Sequence, residues 1–149
     1  MNIRVGIAML VALASLCGCA VNPVTGSSDF VMMSEKDELS LGSKAYQQVL
    51  QQYPIYQDEK LRAYVQQVGE KVASNSHRSN LQYQFSVVDS GDINAFALPG
   101  GYIFINRGLL AYLNSEAELA AVLGHEVGHV TARHGGRQQS QAQAWNILG

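Results

Sequence analysis

Cysteine is nearly missing from this chain. Its 149 residues hold two, and both fall between positions 17 and 19. No disulfide framework and no cysteine-built metal site is therefore expected in the body of the chain. An excess of positive charge is missing too. Ten Lys and Arg stand against twelve Asp and Glu, the formal net charge is −2, and no basic patch forms, which argues against nucleic-acid binding. Long apolar runs are limited to Val5 to Leu16. That run falls short of the roughly 20 residues a membrane-spanning helix needs, and no second one follows. There is no internal repeat, and only Gln138 to Gln143 is locally biased.

What is present centres on His125-Glu126-Val127-Gly128-His129, within the run Glu116 to His134. It reads H-E-x-x-H on a predicted helix. Ser115 is placed as N-cap, with Glu118 three residues on to close a capping box. Leu119, Val122, Leu123, Val127 and Val130 recur at three- and four-residue spacing, and Gly135-Gly136 supply the expected stop. His125 and His129 then share a face, with Cβ atoms about 5–6 Å apart. Two imidazole nitrogens can converge on one Zn²⁺ at roughly 2.0–2.1 Å. Glu126 sits about 100° further round the axis. It is poorly placed as a ligand and well placed to take a proton from a metal-bound water, the general-base role of a metallopeptidase. Gly128, costly inside a helix by about 1 kcal/mol relative to alanine, predicts a close neighbour on its side.

The N-terminus reads as an address. Met1 to Arg4 is short and basic, Val5 to Leu16 matches a signal-peptide core, and Leu16-Cys17-Gly18-Cys19 resembles a bacterial lipobox. That resemblance implies cleavage after residue 18 and lipidation of Cys19. Ala20 in place of aspartate implies, by the same resemblance, the periplasmic face of the outer membrane. Loss of residues 1–18 leaves 131 residues, enough for one domain with a core, and moves the net charge to −3. The membrane is then met through the lipid anchor alone. With no thiol left, a metal site must use histidine and carboxylate, which suits catalytic zinc better than structural zinc.

Residues 19–33 read as a lipidated Pro/Gly/Ser-containing linker, and 34–149 as one domain. Ser34 caps a predicted helix over 35–52, with Glu35, Asp37 and Glu38 in its first turn and Pro54 ending it. Leu39, Ala45, Tyr46, Val49, Leu50 and Tyr53 roughly keep one face. A second helix over 58–74 carries the stripe Leu61, Tyr64, Val65, Val68 and Val72, read as core. His77 falls in a polar turn and is expected to be solvated. Leu81, Tyr83, Phe85 and Val87 alternate as a half-buried strand. Asn94 to Leu98 and Tyr102 to Asn106 give two more, joined by the tight turn Pro99-Gly100-Gly101. A small antiparallel meander is expected. A short helix over 107–113 leads into the metal helix, and a further one is predicted over 137–148.

Taken together, Asn94-Ala95-Phe96-Ala97-Leu98-Pro99-Gly100-Gly101-Tyr102-Ile103-Phe104, Arg107-Gly108-Leu109-Leu110, the H-E-x-x-H and Arg133-His134 resemble the HtpX/BepA-like zinc metallopeptidases. The Asn22-Pro23-Val24-Thr25-Gly26 arm and the Ser34 helix resemble the periplasmic lipoprotein subgroup of the LoiP and BepA kind. The resemblance covers nearly all of the chain after the leader. It implies a zincin-like α+β fold, with a small antiparallel sheet beside the H-E-x-x-H helix and N-terminal helices. It implies one zinc ion and endopeptidase action on misfolded or misassembled periplasmic and outer-membrane proteins, with the outer-membrane assembly machinery as a possible partner. It also implies a substrate strand laid along a sheet edge. Asn94, Ala95, Phe96 and Ala97 are the residues placed there, since main-chain pairing binds with little sequence preference. His134 matches a histidine of the family. Nine residues after His125 on a continuous helix it would face away from the metal, so a role at the helix C-terminus is expected.

The family's third ligand is a glutamate on a later helix, in an E-x-x-x-D setting, and no Asp, Glu or His follows His134. Glu116 and Glu118 lie roughly 10 Å or more from His125 along the axis. Asp89 and Asp92 stay open as alternatives. The expectation is a chain that continues into a longer peptidase. The other reading is a short relative with a degenerate metal site, acting as a non-catalytic chaperone or assembly factor.

Overall fold

The computed structural model describes residues 33–136, together with the pairs Ala20–Val21 and Ser28–Asp29. Those two pairs, β1 and β2, run antiparallel within the arm expected as a linker. The leader, Cys19 and the helix expected over 137–148 lie outside the described residues.

Two helices come first. α1 spans Glu35–Gln52, and Ser34 Oγ accepts from the Asp37 amide at 3.1 Å, as its capping position predicts. α2 spans Glu59–Ala73 and is capped by Asp58, which accepts from the Leu61 amide at 3.0 Å. Its stripe packs as expected at Val65 and Val68, which are buried. Tyr64 departs from the stripe. It stays exposed and donates its hydroxyl to Glu116 at 3.0 Å. In α1 the buried positions are Glu38 and Gly42, while Leu39 is exposed. An acid expected to serve the helix dipole in the first turn thus takes the inner line.

The sheet holds β3 (Gln84–Val88), β4 (Ala95–Leu98) and β5 (Tyr102–Asn106). β4 and β5 form the expected antiparallel hairpin, with Phe96 opposite Phe104. Its turn has φ of 81° at Gly100 and 97° at Gly101, left-handed values that favour glycine. The expected antiparallel meander is not what forms. The order is β3-β5-β4, and β3 runs parallel to β5, with Phe85 opposite Ile103. The cause lies in residues 89–94. Ser90 carbonyl accepts from Gly108 N–H at 2.9 Å, and Asn94 carbonyl accepts from Asn106 N–H at 3.0 Å. These bonds fold the link over the end of β5 and set β4 down on the far side. The outer edge of β3 is met by the chain at 54–56. Tyr56 N–H donates to Val87 carbonyl, and Asp89 N–H to Pro54 carbonyl. Among the described residues, β4 is left as the open edge.

One face of the sheet carries Phe85, Val87, Ile103 and Ile105. It packs with Val65 and Val68 of α2 and with Leu119, Leu123, Val127 and Val130 of the H-E-x-x-H helix, α4, over Glu116–Thr131. Between them, α3 spans only Arg107–Leu110. The other face carries Phe96, Phe104 and Tyr102, and Tyr46 of α1 lies over it. Ring centroids are 5.0 Å apart for Phe96–Phe104 and 4.8 Å for Tyr46–Tyr102. α1 comes so close to the hairpin turn that a Cβ on Gly42 would stand 1.9 Å from Pro99 carbonyl oxygen. Among the described residues no helix is long and apolar enough to cross a membrane.

Candidate metal centre

α4 begins as its sequence predicts. Ser115 Oγ accepts from the Glu118 amide at 3.2 Å. The Glu118 carboxylate reaches one residue further back than a capping box requires, taking the Asn114 amide at 2.6 Å. Glu116 is engaged with Tyr64 and, at 3.9 Å, Lys71. Both acids are thus occupied at the far end of the helix.

Two turns on, His125 and His129 bring their Nε2 atoms to 3.1 Å, with the rings nearly perpendicular. Two nitrogens held at roughly 2.0–2.1 Å by a tetrahedral zinc stand about 3.3–3.4 Å apart. The pair therefore has the bite of one zinc ion to within a few tenths of an ångström. Glu126 is buried between them on the helix, and the ligand atoms of His125, Glu126 and His129 all lie within 4.8 Å of one another. That span is what one water bridges with hydrogen bonds of ordinary length. Among the described residues this is the one cluster of histidine and acid that could hold a metal. Asp89 is taken by Arg107 Nε at 2.7 Å, and Asp92 by the Ser90 hydroxyl at 3.1 Å. Neither lines the cleft beside the histidines. His77 is exposed, as expected.

That cleft holds about 380 Å³ and runs between α4 and β4, with Ala95, Phe96 and Ala97 on one wall and His125, Glu126 and His129 on the other. Asn94 lies outside strand and cleft, its carbonyl turned inward to Asn106. That inward bond sets the phase of the ladder. In an antiparallel pair, residues bonded to the partner strand alternate with residues facing away. Asn94 is bonded to β5, so Phe96 and Leu98 are bonded as well, and Ala95 and Ala97 turn their N–H and C=O groups to the open edge. The Phe96 ring stacks on Phe104, on the face away from α4.

Three expectations fail at the end of α4. The helix does not run on to Gly135-Gly136 but stops at Thr131, with Ala132 as C-cap. Among the described residues Gly128 has no close neighbour, since a Cβ there would meet nothing within 4 Å. His134 does not face away. Arg133 adopts φ 53°, a left-handed value, and the turn brings His134 Nδ1 to 2.7 Å from His129 Nδ1. A helical projection could not foresee this, because it presumes a continuous axis.

What holds the Arg133 turn is Glu38, read from the sequence only as a first-turn acid of α1. Glu38 is 1 % exposed. Its carboxylate lies 2.8 Å from Arg78 Nη1 and 2.8 Å from Arg133 Nε, the latter an ion pair whose N–H is not aligned on the oxygen. Arg78 also donates to Val130 carbonyl at 3.3 Å, and Arg133 to Met33 carbonyl at 2.8 Å. Burial opposes the Arg78 charge, but the hydrogen bond and charge of Glu38 outweigh it and push the Arg78 pKa up. Glu38 also lines the metal cleft, yet its carboxylate is committed to the two arginines. No motif flags these three residues; they stand 40 and 95 positions from Glu38 in sequence and meet only in the fold.

An α+β fold with H-E-x-x-H on a core-packed helix beside an open strand is the arrangement of a metallopeptidase. A family model described as peptidase family M48 matches residues 59–149, and the chain belongs to that family. It is 32 % identical over 121 residues to a β-barrel assembly-enhancing protease of Yersinia pestis, covering 81 % of this chain and 25 % of that protein. Identity to the protein of that name in Escherichia coli K12 is 30 % over the same length. To the mitochondrial metalloendopeptidase OMA1 of Schizosaccharomyces pombe it is 34 % over 117 residues, covering 75 % of this chain and 34 % of that protein. The chain thus spans about a quarter to a third of the length of these relatives. The expected α+β fold and peptidase family agree with these findings.

Proposed function

We propose that this chain carries the zinc-binding helix and substrate edge of a metalloendopeptidase that cleaves misfolded or misassembled proteins. The observation that carries the reading is the open edge of β4 along the cleft that holds His125, Glu126 and His129. An extended segment can add to that edge through the main-chain groups of Ala95 and Ala97, in either polarity, without selecting side chains. Chains with unpaired backbone are the substrates such an edge fits, which agrees with relatives named for β-barrel assembly.

His125 and His129, whose Nε2 atoms converge to 3.1 Å, would hold the zinc. When bound, zinc supplies Lewis acidity, which polarises the scissile carbonyl and makes water acidic enough to be deprotonated near neutral pH. Glu126 takes that proton and returns it to the leaving amine, as its buried position within one water of both imidazoles allows. A catalytic zinc of this kind takes three protein ligands, of which His125 and His129 supply two.

The address follows from the sequence. Residues 1–18 form the lipoprotein signal, Cys19 carries the lipid, 19–33 link it to the domain, and the protein stands on the periplasmic face of the outer membrane. Relatives named for β-barrel assembly support that placement. A binding role without catalysis uses the same edge and predicts client capture without zinc.

Glu126→Gln in the full-length protein separates the two. Zinc content should stay near one per chain while cleavage of an unfolded outer-membrane protein falls by at least about 100-fold, the scale of a lost general base. Undiminished cleavage would sink the hydrolytic assignment. Client capture that persists in chelator, with no cleavage by the wild type, would favour the binding role.

A further inference from the structure

We infer that His134 is a positioning residue for the metal site, holding the His129 imidazole through Nδ1 while Nε2 faces the metal. The inference rests on the zinc reading above and extends it to a residue outside the H-E-x-x-H. The geometry is direct. His129 Nε2 is 3.1 Å from His125 Nε2, and His129 Nδ1 is 2.7 Å from His134 Nδ1. An imidazole that ligates through Nε2 must carry its proton on Nδ1, so it needs an acceptor there. His134 Nδ1 supplies one. Such a partner fixes both the tautomer and the ring orientation of a ligand.

The arrangement depends on the backbone at Arg133. With φ at 53° the chain leaves the α4 axis after Ala132, and the His134 side chain meets that of His129. Without that turn, a residue five positions after His129 would lie on another side of the helix. The turn is held by the Arg133 contacts to Glu38 and to Met33 carbonyl, and Glu38 is anchored in turn by Arg78. α1 therefore reaches the metal site through one carboxylate, although none of its residues belongs to the motif.

The test compares His134→Ala with His134→Asn, whose Oδ1 stands close to where Nδ1 was. Zinc affinity of the full-length protein is read by competition with a chromogenic chelator, and thermal unfolding of the metal-free protein is read alongside. His134→Ala should weaken zinc binding by about 10–100-fold. His134→Asn should recover most of that loss. Metal-free unfolding should stay unchanged in both, because the His134 side chain is exposed. Equal zinc affinity in the wild type and His134→Ala would overturn the inference and leave the zinc reading standing. A loss that His134→Asn does not recover, or one matched by a drop in metal-free stability, would also overturn it in favour of a packing role. A wild-type protein that takes up no zinc would overturn the zinc reading itself, and the inference with it.

Discussion

Two carboxylates in this protein make ion pairs of nearly the same length, yet their removal should differ several-fold in effect. Asp89 lies 2.7 Å from Arg107, and Glu38 lies 2.8 Å from both Arg78 and Arg133. Distance alone would rank the first pair as the stronger. Burial reverses the order. The Asp89 and Arg107 side chains are 46 % and 45 % exposed, whereas Glu38 is 2 %, Arg78 11 % and Arg133 17 % exposed. Water screens the exposed pair, and Asp89→Asn should cost less than about 1 kcal/mol. Glu38→Gln keeps the volume but takes the buried counter-charge from two largely buried guanidiniums, leaving Arg133 unpaired and Arg78 with only the exposed Glu35 at 3.4 Å. Arginine cannot shed its proton to escape, so the loss should be about 3–5 kcal/mol. For a domain of this size that lowers Tm by roughly 10–20 °C. The assay is thermal and urea unfolding followed by far-UV circular dichroism with EDTA present, so that metal binding does not contribute. A Glu38→Gln loss no larger than that of Asp89→Asn would refute the reasoning.

Other consequences can be checked with single substitutions. Gly42→Ala should destabilise by about 1–3 kcal/mol in urea unfolding, because its Cβ meets Pro99 carbonyl oxygen at 1.9 Å. Helix propensity alone gives the opposite sign, a gain of about 1 kcal/mol, so the direction is decisive. Ala97→Pro should leave the fold intact, since the lost N–H faces the open edge, and should raise KM severalfold with little change in kcat. Phe96→Pro removes a β4–β5 bond instead and should unfold the hairpin; equal behaviour of the two variants would contradict the assigned ladder phase.

Much of the site was legible because it is local. His125, Glu126 and His129 are spaced by one helical turn, so 3.6-residue periodicity alone puts the two imidazoles together and the carboxylate to one side. The N-caps Ser34 and Ser115 and the Pro99-Gly100-Gly101 turn are equally local, each fixed by hydrogen bonds or φ values within a few residues. Strand existence followed from alternation, but strand order did not. Alternation tells which side chains share a face and says nothing about which neighbour takes each edge.

By itself, then, the sequence determined the metal helix, its capped start, the two histidines with their glutamate, and the α+β composition around them. Tertiary structure alone decided three things. It put β4 at the open edge, because the 89–94 link is bonded across the end of β5. It buried Glu38, because α1 packs so closely on the hairpin turn that its first-turn carboxylate meets Arg78 and Arg133. It returned His134 to His129, because Arg133 breaks the helical axis. Each depends on residues far apart in the chain, brought together by burial and by hydrogen bonds that no local period encodes.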